Sequence, residues 1–179
     1  PGHQVRRGYH AEAMSTDSVK SRLAAKSGVG ALAAVTAVVV TYEGTVFKTY
    51  KDPVGILTAC VGHTGPELRM GQKFTRQQCD AMLYADLLKH AKALDCVTRP
   101  LQQHESAALL SFAFNVGVSN FCKSTLARKA NAGDMAGACA ELSKWTLSKG
   151  RELPGLVARR AAERRLCEGR DPWDGVPLT

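Results

Sequence analysis

Two carboxylates stand nine positions apart early in the chain, Glu43 and Asp52. Glu43 closes an uncharged run from Ser27 to Tyr42 (SGVGALAAVTAVVVTY), so its carboxyl lies at an apolar junction. Burial of an acid disfavours its ionised form, the property a general acid requires. Asp52 opens the turn sequence Asp52-Pro53-Val54-Gly55 and is expected to be more solvated and ionised. Two carboxyls in different environments suit glycoside hydrolysis. Acids beside loops are more often simple solvated surface, so the pair needs support from its neighbours. Thr58 follows on a short β-rich stretch and reads either as a strand filler or as a hydroxyl holding water. His63 could act as a base, but a structural role is the preferred reading.

These residues need elements to hold them. Residues 45–63 read as a small β region, with Ile56 to Val61 as a short strand and a second loop over Thr64 to Gly71. Thr75 and Gln78 have capping-box spacing, and behind them Cys79, Met82, Leu83, Leu87 and Leu94 repeat at helical intervals. Asp86 falls on that apolar stripe, where a carboxylate needs a partner. Ala107 to Val116 is almost wholly apolar and reads as a central buried helix ending near Gly117. Further helices are expected over Thr125–Ala132 and Met135–Lys149, the second capped by Asp134. A last basic helix runs from about Leu156 to Glu168, with Arg159 and Arg160 on a solvated basic face. Trp145 reads as core.

The 179 residues suit one domain with room for two lobes. Hydrophobic residues make up 45% and charged residues 22%, which excludes wholesale disorder. The net charge of +8 implies an anionic partner. Aromatics at 6% are too sparse for a base-stacking platform, and no basic recognition helix stands out, so nucleic acid is not the expected partner. The cysteines, Cys60, Cys79, Cys96, Cys122, Cys139 and Cys167, are dispersed without a CxxC pair or zinc spacing. No metal or cofactor is expected. An even, dispersed set fits three disulfides in an oxidising compartment or six buried thiols.

Residues 1–13 show no hydrophobic period and are set aside as upstream sequence, with Met14 a plausible start. Lys20, Arg22 and Lys26 then precede the apolar run. A short transmembrane helix, a cleaved secretory signal and a buried helix all fit this order. So does a weak anchor that enters a membrane and later leaves it.

Read together, Glu43, Asp52, Thr58 and Val61-Gly62-His63 spell E-x8-D-x5-T-x2-V-G-H. This spacing resembles the phage-type lysozymes, the muramidases of bacteriophage endolysins. Thr75–Leu87 resembles the family's inter-lobe helix, Phe112 to Gly117 (FAFNVG) its cleft-lining segment, and Ser143-Lys-Trp145 with Arg159-Arg160 its carboxy-terminal part. The basic start, weak apolar run and following Glu resemble the signal-anchor-release endolysins.

The resemblance implies an α+β fold, mainly α, with a small antiparallel β lobe, a helical lobe and a catalytic cleft between them. It implies a signal-anchor-release segment over 14–42, a catalytic domain over 43–170 and a tail over 171–179. It implies hydrolysis of the β-1,4 bond between N-acetylmuramic acid and N-acetylglucosamine in peptidoglycan, with inversion and with host lysis. Glu43 would be the general acid, Asp52 would position or activate water or stabilise the oxocarbenium-like charge, and Thr58 would hold the water. His63 would pair with Asp86, and Phe114, Asn115 and Gly117 would border the sugar groove. The expected disulfides are Cys60–Cys79, Cys96–Cys122 and Cys139–Cys167. The expected protein is a monomer exported to the periplasm, first tethered to the inner membrane through its amino-terminal segment. Three rivals remain: a lytic transglycosylase, which uses one Glu and which the Asp52/Thr58 pair disfavours, a basic nucleic-acid-binding helical domain, and a non-catalytic wall-binding module.

Overall fold

An almost uninterrupted apolar sequence has to be covered on all sides, and helix α4 (Gln103–Val116) is covered in that way. Residues 105 to 113 are all buried. In the computed structural model, which describes residues 15–52 and 55–174, α2 (Val29–Glu43) and α8 (Pro154–Cys167) pack against it. Phe112 sits between Phe121 and Trp145, with ring centroids 6.1 and 5.2 Å away. Each large side chain buried in this core contributes about 1.5–3 kcal/mol. Trp145 itself is partly buried against the core.

The uncharged run forms α2, whose Ala31, Val35, Val38 and Val39 are buried. The basic segment before it forms α1 (Thr16–Ser27), capped by the Ser15 hydroxyl, which accepts from the Ser18 N–H at 3.2 Å. Gly28, at φ 91°, turns the chain between α1 and α2 through 107°. Two contacts hold that bend. Lys26 reaches Asp95 at 2.7 Å, and the Gly30 N–H donates to the Gln103 side chain at 3.0 Å. Among the described residues no single helix is long and apolar enough to cross a membrane; α1 and α2 together pass that test by length and composition.

The β lobe is a three-stranded antiparallel sheet ordered β1 (Val46–Lys51), β2 (Leu57–Cys60) and β3 (His63–Thr64). Its register pairs Tyr50 with Thr58 and Ala59 with His63. Asp52 closes the β1–β2 hairpin, its side chain accepting from the Ile56 N–H at 2.8 Å. Pro53 and Val54, expected in that turn, lie outside the described residues, as do residues 1–14 and 175–179. Ala59, Cys60, Leu68 and Cys79 form a small separate core for this lobe.

Helix α3 (Arg76–His90) links the lobes and carries the expected capping box, Thr75 with Gln78. A 3-10 segment (Ala91–Cys96), α5 (Val118–Cys122), α6 (Thr125–Asn131) and α7 (Met135–Glu141) complete the helical lobe. The helix expected over 135–149 is shorter than that reading. It ends at Glu141, passes through a 3-10 turn, and gives way to a hairpin of β4 (Leu147–Ser148) and β5 (Arg151–Glu152). Lys149 and Gly150, at φ 50° and 76°, make a turn no helix can contain. Disulfides join Cys60–Cys79, Cys96–Cys122 and Cys139–Cys167.

Candidate active site

Glu43 is the last residue of α2, and Gly44 behind it, at φ 69°, turns the chain into β1. The burial of α2 therefore fixes where the carboxyl stands. Its side chain is 24% exposed, and Oε1 lies 2.5 Å from Arg159 Nη1. The other oxygen faces Gly62 in the β2–β3 turn, where an added Cβ would come within 3.4 Å of it. What calls for glycine there is the turn itself, with φ at 68°.

Tyr50 is a residue of β1 that the sequence reading did not single out. The β1–β2 register sets Tyr50 opposite Thr58, two residues before Asp52. Its phenol is held above its ordinary value by burial first, and then by the negative charges of Glu43 and Asp52. Thr58 is buried and its hydroxyl donates to the Ile56 carbonyl at 3.1 Å, which leaves its oxygen able to accept a further hydrogen bond.

His63 Nδ1 lies 2.6 Å from Asp86 Oδ2, joining β3 to α3, and His63 Nε2 lies 2.6 Å from Glu67. Lys89 also reaches Asp86, at 2.9 Å. The hydrogen bond to Asp86 raises the His63 pKa, burial opposes this, and Glu67 adds to it. Burial alone would push Asp86 up, but His63 and Lys89 more than offset it and its pKa is lowered. His63 is thereby fully engaged in structure.

A cavity of about 330 Å³ lies beside this pair, lined by Gly62, Thr64, Asp86, Lys89, His90 and Phe114. Phe114 faces it, packed on His90 with ring centroids 5.0 Å apart. Asn115 is exposed, but its Oδ1 accepts from Arg160, and Gly117, at φ 85°, terminates α4. A larger hollow of about 740 Å³ lies on the outer side of α2 among Leu32, Thr36, Val40, Tyr84 and Trp173. Neither hollow is lined by Glu43, Asp52 or Thr58; the smaller one includes Gly62, which lies next to the Glu43 carboxyl. Among the described residues no cluster of three or more His, Cys, Asp or Glu side chains is arranged to hold a metal.

Arg159 and Arg160 overturn the expectation of a solvated basic face: they are 3% and 1% exposed. Burial of a guanidinium needs a counter-charge, and Glu163, itself 0% exposed, supplies it to both. Burial works against the Arg159 charge, and Glu163 and Glu43 outweigh it, so its pKa is raised.

The phage lysozyme family model matches residues 40–163, a span that holds Glu43, the whole β lobe and the helices from α3 into α8. The SAR-endolysin of Bacteriophage PS119 is 41% identical over 163 residues, 87% of this chain and 96% of its own length. Among solved structures, the muramidase domain of SpmX from Asticaccaulis excentricus superposes with a TM-score of 0.69 at 33% identity, covering 75% of this chain and 94% of that one. The endolysin from Escherichia coli O157:H7 phage FAHEc1 gives 0.68 at 29% identity, covering 75% and 89%. With Glu43 at the junction of a β lobe and a helical lobe, the chain belongs to the phage lysozyme family and is an endolysin-type glycoside hydrolase acting on bacterial peptidoglycan.

Proposed function

We propose that the cleft cleaves the β-1,4 bond between N-acetylmuramic acid and N-acetylglucosamine with Glu43 as general acid, Asp52 as the carboxylate that activates water, and Thr58 as a further ligand of that water. The observation that carries this is the placement of Glu43 at the part-exposed end of α2, facing Gly62 of the β2–β3 turn, with Thr58 on the adjoining strand and Asp52 closing the β1–β2 hairpin. Glu43 is part exposed at a helix end, so it can meet a glycosidic oxygen while its backbone stays fixed. Asp52, on the hairpin, stands on a different element and can face the opposite side of the sugar. The reaction is then inverting, which asks for carboxyls roughly 6.5–9.5 Å apart with water between them. Phe114 and Gly117 border the groove, and Asn115 does so with its Oδ1 already given to Arg160.

Zymography of wild type beside Glu43→Gln tests the acid. Product analysis separates the rival chemistry: anhydro-sugar ends mark a lytic transglycosylase, and reducing ends with α configuration mark inverting hydrolysis.

Residues 14–42 form, on this reading, a signal-anchor-release segment in its released state, with 43–170 as the catalytic domain and 171–179 as a tail. The apolar side of α2, buried against α4, is the surface that would otherwise face lipid. The relatives carrying the SAR-endolysin name support this. The protein would act as a monomer in the periplasm after tethering to the inner membrane. Fractionation of expressing cells over time, with the chain moving intact from membrane to soluble fraction, is the expected result. Cleavage before Glu43 would refute it.

A further inference from the structure

The buried charges behind Glu43 form one connected network. Glu163 on α8 receives Arg159 Nε on Oε1 at 3.0 Å and Arg160 Nη1 on Oε2. The Ser111 hydroxyl on α4 donates to the same Oε1 at 2.7 Å, and the Ser111 carbonyl accepts from Arg159 Nη2 at 3.3 Å. Arg159 then has Nη1 left to reach Glu43. Arg160 donates onward to the Trp145 carbonyl at 3.2 Å and to Asn115 Oδ1, and its guanidinium lies over the Phe112 ring at 4.8 Å. Two acids and two bases balance one another, and Ser111 and Glu163 at the centre are both 0% exposed, with Glu43 at the exposed end.

The arrangement is directional. Arg159 alone is a flexible side chain with one useful partner, Glu43. Fixed at Nε by Glu163 and at Nη2 by the Ser111 carbonyl, it has one orientation left, and that orientation presents Nη1 to Glu43. The same Glu163 holds Arg160 against Asn115 at the rim of the cleft. We propose that Glu163, steadied by Ser111, is a positioning residue: it locks Arg159 and Arg160 side by side, so that Arg159 orients the Glu43 carboxyl and Arg160 orients Asn115. This rests on the reading of Glu43 as the general acid. Arginine carboxylate geometry of this kind gives orientation as well as charge, and small misplacement of a reacting group costs rate out of proportion to its effect on binding.

The test compares wild type, Glu163→Gln, Glu163→Asp and Ser111→Ala on purified peptidoglycan, with kcat, KM, a pH–rate profile and thermal unfolding measured for each. Glu163→Gln keeps the shape and removes one of the two negative charges. The arginines are then under-compensated, and their surplus positive charge favours the ionised Glu43. The expected result is a kcat lower by roughly 10–100-fold with KM within about twofold, and an alkaline limb of the profile moved to lower pH. Glu163→Asp retains the charge and is expected to restore the wild-type limb while recovering only part of kcat. Ser111→Ala removes one hydroxyl and no charge, so it folds even where Glu163→Gln does not. Its expected effect is a fall in kcat of about 2–10-fold with the limb unmoved. Lower melting temperatures with kcat and profile unchanged, in either Glu163→Gln or Ser111→Ala, would overturn the proposal. Failure of wild type itself to cleave peptidoglycan would instead refute the reading of the cleft.

Discussion

Replacing Asp86 by Asn keeps the shape of the partner that faces His63 and removes its charge. The perturbed bond is short, 2.6 Å, with side-chain exposures of 7% and 12%. A hydrogen bond to a charged group contributes about 1.5–3 kcal/mol, and a neutral one about 1 kcal/mol. The His63 pKa is raised from its ordinary 6.5, so its contribution is full below pH 6.5 and is lost as pH rises through the folded value. The Asp86 pKa is lowered from 3.8, so its contribution is present above pH 3.8 and is lost as pH falls through the folded value. The gap between wild type and Asp86→Asn is therefore widest between those two ordinary values. It is expected to be about 0.5–2 kcal/mol near pH 6, or roughly 1–8 °C in Tm for a chain of this size. Towards pH 9 it should narrow, because a neutral His63 can still bond an amide. Glu67 remains on the other ring nitrogen in the variant and keeps His63 partly compensated, which sets the upper bound. Thermal unfolding followed by circular dichroism at pH 5, 6, 7, 8 and 9 measures the gap. A gap constant across that range, or one growing towards alkaline pH, would show that the pair contributes packing rather than charge.

Glu43→Gln is expected to fold as wild type and to lose about 10²–10⁴-fold in activity, read by turbidity loss of permeabilised cells with a melting curve alongside. Reducing the protein should lower its Tm by more than 10 °C, since closing loops with separations of 19, 26 and 28 residues is worth about 3–4 kcal/mol apiece; an unchanged melting curve with six titratable thiols would contradict this. Leu in place of Gly30 would drive its Cβ to 2.3 Å from Gln103 Oε1 and break the N-terminal contact of α2. With the apolar run made more lipophilic at the same time, the variant should sediment with membranes and lyse cells more slowly, and a fully soluble, fully lytic variant would refute the two-state account.

Sequence patterns revealed what local chemistry controls. The Thr75/Gln78 box starts a helix because both capping groups lie within three residues, and the apolar stretch before Gly117 can only be a buried helix. The Met135–Lys149 helix was over-extended because the turn at Lys149-Gly150 lies beyond residues with acceptable helix propensity. Glu163 stayed hidden for a different reason. Its spacing from Arg159 and Arg160 is that of an ordinary surface ion pair. A signal was nonetheless present: Arg159, Ala162, Glu163 and Leu166 share one face of α8, and a charge on an apolar stripe demands a partner, the same logic that singled out Asp86. What the chain alone could not supply was the neighbour, Ser111 and Glu43, 52 and 120 positions away in the sequence. Tyr50 was missed because a tyrosine in a strand is ordinary until the carboxylates flank it.

The three bridges, Cys60–Cys79, Cys96–Cys122 and Cys139–Cys167, follow one another along the chain, and none encloses or crosses another. A chain threaded amino end first into an oxidising space presents both partners of each bridge before the first cysteine of the next. The native partner is then the one that arrives soonest, and order of arrival selects one connectivity from the 15 that six cysteines allow. Reshuffling by thiolate attack has nothing to repair. Loss of one cysteine leaves a lone thiol flanked by cysteines already engaged with each other, so the damage stays within one stretch of the fold instead of scrambling the rest.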